Sequence, residues 1–153
     1  MYEKAFCLEY CEKWTESINL VNVAINLCDK AKDKFWGVRM RLLKSRILTR
    51  RWFYDQTESF EIIKRKDNNN SLDKYLSNIF ANLGDDYKIS TQTELEFNLL
   101  RGEVYMTDLN YEEAKKSFQK VIALNNPSNS NNKPEPVNPK IEASCRLRLA
   151  NIF

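Results

Sequence analysis

The residues with chemistry to offer here are four cysteines and two pairs of adjacent carboxylates. Cys7 and Cys11 stand four apart, so a helix would put them on one face; Cys28 and Cys145 are the other thiols. A metal centre built on these thiols would need further ligands. The 153-residue chain contains no histidine, which removes the commonest zinc ligand and the commonest general base. Ser-His-Asp and Cys-His catalysis are thereby excluded within this chain. A disulfide between Cys7 and Cys11 along one helix has poor geometry. The expectation is small buried thiols, free in a reducing compartment. Asp85–Asp86 and Glu112–Glu113 raise acid–base chemistry. The first pair follows Gly84 in a turn, and the second suits the positive end of a helix dipole. No Gly-rich phosphate-binding pattern occurs. We therefore expect no catalytic residue, no cofactor and no metal ligand.

The elements that must position any other site are helical. Only three glycines occur, at 37, 84 and 102, and all four prolines fall at 127, 134, 136 and 139. A chain so poor in turn residues reads as helices joined by short loops. Trp14, Ser17, Val21, Ala24 and Cys28 recur at spacings of three and four and predict a helix over 14–31, preceded by one over 1–12. Trp36, Met40, Leu43 and Ile47 make one helical face, and Phe53, Phe60 and Ile63 belong to a following helix. Ser71 is placed to cap a helix over 72–83, with Gly84 ending it in a left-handed conformation. Thr93 with Glu96 and Asn110 with Glu113 read as capping boxes for two more. The Asn- and Pro-rich segment 125–140 reads as a flexible loop, and a last helix runs to Phe153.

The stretch "GEVYMTDLNYEEAKKSFQKVI", 102–122, is the most regular of all. Taking Gly102 as position eight of a unit, Tyr105 falls at eleven, Ala114 at twenty and Phe118 at twenty-four. With these residues, Leu95–Asn126 resembles a tetratricopeptide repeat, a helix–turn–helix unit of about 34 residues. The spacing has a plain purpose: Gly102 and Ala114 let two helices approach, and Tyr105 and Phe118 fill the volume beside them. Asn98 and Val121 depart from the pattern. Weaker units lie near 1–31, with Ala5, Leu8, Ser17, Val21 and Ala24 at the same positions, and near 33–66, where bulky Trp52 departs. A partial unit covers 141–153. The expectation is one all-α domain over 1–153, its antiparallel hairpins stacked as a right-handed α-solenoid. Met1 falls near position four of the first unit and the chain stops inside a helix, as in a segment of a longer solenoid or a short one that docks on neighbours.

The resemblance implies that each unit's first helix lines a concave face that takes peptides or partner helices. Carried over by position, that face presents Tyr2, Phe6, Glu9 and Tyr10, then Lys34, Arg41 and Lys44, then Glu96, Leu99, Glu103 and Met106. The family's two-carboxylate clamp needs Lys and Asn where this chain has Tyr2, Phe6 and Val38, so a receptor for chaperone tails is not expected. Residues 30–66 hold 12 Lys or Arg against 4 Asp or Glu, which reads as a solvated face or as a docking surface for an acidic partner. The resulting expectation is a non-catalytic scaffold or adaptor in a multiprotein assembly, cytoplasmic, with nuclear or ciliary placement as alternatives, and with no membrane span. Two other readings stay open: an RNA-binding helical-repeat protein using the basic 30–66 face, and a regulatory helical module of an enzyme whose catalytic part lies outside this chain.

Overall fold

The computed structural model describes residues 1–54, 72–81, 83–126 and 138–152. The helix expected around Phe60 and Ile63, the Ser71 cap and most of the 125–140 loop lie outside them. The described residues are all-helical: α1 Tyr2–Tyr10, α2 Trp14–Ala31, α3 Lys34–Tyr54, α4 Leu72–Ala81, α5 Thr91–Thr107, α6 Tyr111–Asn125 and α7 Pro139–Ile152. None is long and apolar enough to cross a membrane. The chain divides into two compact units, Met1–Lys88 and Ile89–Phe153.

In the first unit, α2 packs on both α1 and α3, and α4 packs on the other side of α3. The three-and-four spacing of α2 buries Ser17, Val21 and Ala24. They meet Ala5 of α1 and Met40, Leu43 and Ile47 of α3 in one core. α3 buries Val38 and Leu42 as well, as a helix covered on two sides must. Trp36 departs from the expected apolar face. It is 42% exposed, because it sits in the first turn of α3, where Asp33 Oδ1 accepts from its backbone N–H at 3.1 Å. α4 turns Leu76 and Ile79 inward, and Leu83 follows them. Gly84 is left-handed, with φ of 75°, as expected. The preceding Leu83 carbonyl accepts from Lys34 Nζ at 2.6 Å.

In the second unit, α6 packs on both α5 and α7. Leu95, Ala114, Phe118, Val121 and Cys145 form its buried core, flanked by Leu99, Tyr105, Met106 and Leu149. α5 begins earlier than the capping box at Thr93 and Glu96 predicts. Ser90 is its N-cap and its Oγ accepts from the Thr93 N–H at 3.2 Å. Thr93 faces the core instead, which is why the exposed hydroxyl three residues earlier takes the cap. Asn110 caps α6, with a 3.5 Å acceptance from Glu113 N–H. The Glu113 carboxylate accepts from Lys116 at 2.6 Å, and this bond holds the Lys116 ammonium above its ordinary range.

Three helix ends share one device. After α1, Lys13 N–H reaches the Leu8 carbonyl and Glu12 N–H the Glu9 carbonyl. After α2 the pairs are Asp33 to Cys28 and Lys32 to Asp29; after α5 they are Asn110 to Tyr105 and Leu109 to Met106. This is the Schellman pattern, and it needs a left-handed residue at each end. Glu12, Lys32 and Leu109 supply it, with φ of 60°, 55° and 58°, although none is glycine.

Candidate interaction site

Among the described residues, no group of three or more Cys, Asp or Glu is placed to hold a metal. Cys7 and Cys11 are exposed rather than buried, because α1 turns Ala5 and Glu9 to the core instead. Cys145 is buried, and desolvation pushes its thiol up to about 11, which keeps it protonated at neutral pH.

The hairpin residues singled out by spacing meet as follows. A Cβ added to Gly102 would fall under 3.0 Å from three ring carbons of Phe118. Ala114 and Phe118 are fully buried. Tyr105 is half-buried beside them, and its hydroxyl accepts from Arg101 at 2.9 Å.

Several residues assigned to a partner-facing surface already have partners within the chain. Glu9 is buried, and its two oxygens accept from Arg46 at 3.0 Å and Arg50 at 2.7 Å. Arg41 Nη2 donates to both oxygens of Asp29 at 2.8 and 2.7 Å. Lys34 donates to Leu83, and Glu103 pairs with Arg148 of α7. Lys44 lies over the Tyr75 ring at 5.7 Å; burial lowers its pKa, with Arg41 adding to the effect. Phe6 packs on the first core with Arg46 4.6 Å above its ring. Leu99 and Met106 pack on the second core, whereas Tyr10 is 79% exposed. The second half of the basic 30–66 segment lies outside the described side chains.

Two concavities open on the first unit. One, of about 410 Å³, lies between the α2–α3 junction and α4, among Asp29, Lys34, Val38, Arg41, Tyr75 and Ile79. The Asp29–Arg41 pair and the Lys34–Leu83 bond occupy three of its charged groups, and Lys32 and Asp33 also line it. The other, of about 690 Å³, lies where the start of α1, the end of α2 and the start of α3 converge. Its walls include Met1, Tyr2, Leu27, Trp36 and Met40, and Arg39 reaches into it. Met1, Leu27 and Trp36 are among the exposed large apolar side chains. The Arg39 guanidinium sits 5.4, 5.7 and 5.8 Å from the ring centroids of Tyr2, Phe35 and Trp36.

The resemblance pointed to Tyr2 but not to Arg39, Leu27 or Phe35. The available signal was the run Phe35, Trp36 and Arg39, which a helix gathers to one side. Asn125 was missed too. It is fully buried, accepts from the Asn138 N–H at 2.7 Å and donates to the Asn138 carbonyl at 3.2 Å, so it ties the end of α6 to the start of α7. No family model, no curated protein and no solved structure matches this chain.

Proposed function

We propose that this chain is a non-catalytic protein-binding scaffold made of tetratricopeptide-type hairpins, stacked as a right-handed α-solenoid within a multiprotein assembly. The observation that carries the reading is a register shared by two hairpins. Ala5 and Gly102 are the small residues of the first helices, and Glu12 and Leu109 are left-handed seven residues later. Ser17 and Ala114 follow at twelve, and Val21 and Phe118 at sixteen, all four fully buried. Hairpins that repeat the same close approach and the same turn fit the architecture of a repeat array. Such arrays act by presenting surface, and the apolar cleft at Tyr2, Leu27 and Trp36 is surface of the kind that partners cover.

The test is affinity capture from a native lysate with the full chain as bait, with and without nuclease. A defined set of proteins that survives nuclease supports the scaffold reading. Recovery of RNA alone, lost to nuclease and steeply salt-dependent, overturns it in favour of an RNA-binding helical repeat.

A further inference from the structure

Arg39 differs from the other described arginines of the first unit. Arg41 holds Asp29, and Arg46 and Arg50 hold Glu9. Among the described residues no carboxylate pairs with Arg39; its Nε, like that of Arg46, is buried with no hydrogen-bond partner. Three aromatic rings surround the guanidinium. A guanidinium beside aromatic rings keeps its terminal N–H groups as donors, in a planar array that matches a carboxylate.

We propose that the cleft between the start of α1, the end of α2 and the start of α3 docks a segment of another protein. That segment seats an apolar side chain against Tyr2, Leu27 and Trp36 and places one carboxylate on Arg39. The inference rests on the scaffold reading and names the chemistry of its partner. The charge around the cleft selects among anions. Glu3 and Asp33 also line it, and Asp33 is fixed there by its bond to the Trp36 N–H. A single Asp or Glu side chain brings one negative charge against these two. A phosphorylated residue or a nucleic-acid backbone brings more negative charge against two carboxylates. The exposed apolar walls favour Leu, Phe or Trp beside the acid, a pairing that a nucleic acid does not offer.

The experiment pans a phage-displayed library of short random peptides on the full chain and, in parallel, on Arg39→Gln. The expected result is enrichment of Asp or Glu next to Leu, Phe or Trp on the wild type only. The best peptide, made synthetically, is expected to lose about ten- to a hundredfold in affinity on Arg39→Gln, the scale of a hydrogen-bonded charge. Changing its acid to the amide should cost as much on the wild type and little more on the variant. Arg39→Lys, which keeps the charge and loses the planar array, should fall between. If Arg39→Gln does not fold, the acid-to-amide change read on the wild-type chain carries the test alone. Peptides without acidic enrichment, no selected peptide, or affinity indifferent to both changes would overturn the proposal. So would displacement of the peptide by a single-stranded RNA oligonucleotide. If a lysate yields protein partners while the library yields no acidic motif, the cleft assignment falls and the scaffold reading stands.

Discussion

Where α1 crosses α2, Ser17 Oγ donates to the Ala5 carbonyl at 2.7 Å. One turn further along α1, buried Glu9 holds two arginines of α3. Where α5 crosses α6, Gly102 lies against the Phe118 ring, closer than any side-chain carbon there would allow, and the Lys120–Glu94 pair that joins the two helices at 3.4 Å is exposed. Both hairpins achieve the same close approach from the same register. The first fixes it with a hydrogen bond and a buried ion cluster, and the second with shape. Volume changes should therefore damage the second unit most, and charge changes the first.

The largest effect expected is for Phe118→Ala, at about 3–5 kcal/mol, because the ring is fully buried and fills the space that Gly102 leaves. The same register position in the first unit carries Val21, where Val21→Ala should cost less, as fewer methyl groups leave. Denaturant unfolding gives both values. A larger loss at Val21 than at Phe118 would break the contrast.

Charge is the converse test. The double variant Arg46→Ala/Arg50→Ala strands Glu9, whose side chain is 0% exposed, and should cost about 3 kcal/mol, in the range for breaking a buried pair. Glu9→Leu should cost clearly less. The arginine side chains it would release are 31% and 47% exposed and can turn to water. If Glu9→Leu proves the worse of the two, the cluster is not held by the carboxylate's burial.

These contrasts also mark what could be read from the sequence. Helix periodicity is local, so α2 over 14–31, the left-handed Gly84 and the all-α class were legible; the spacing paired Gly102 with Ala114, and the ring that lies against Gly102 is that of Phe118. Features that depend on which face meets which neighbour were not. Glu9 looked like an exposed carboxylate because its arginines lie 37 and 41 residues away. Trp36 looked like core, yet its turn of α3 ends in the cleft. The Arg39 nest needs residues from α1 and α3 together. Asn125 and Asn138 were hidden inside an Asn-rich composition, which does not show that they bond each other. Ser90 and Thr93 offer two hydroxyls three apart, and burial of the second decides which one caps α5.

Gly102→Ala probes the shape lock more finely. In an exposed helix this change stabilises by about 1 kcal/mol. Here the new methyl meets the Phe118 ring, so a net loss of about 1–3 kcal/mol is expected from overpacking. Phe118→Leu in the same chain should recover part of it, because the two residues share one space. Strict additivity of the two changes would mean that they are not packed on each other.

The smallest effect concerns the turns, where the two hairpins are alike. Leu109 is left-handed and 70% exposed, so its side chain gives up little burial while its Cβ pays the steric cost of that conformation. Leu109→Gly removes that strain and returns some entropy to the unfolded chain, leaving a net gain of about 0.5–1 kcal/mol. Glu12, at the same register and with the same pair of backbone bonds, should respond alike. Equal gains in thermal melts of the two variants would tie the hairpins to one turn geometry set by backbone rather than side chain. A loss at Leu109 beside a gain at Glu12 would mean that the Leu109 side chain makes a contact that outweighs its strain, and the equivalence of the two turns would end at the backbone.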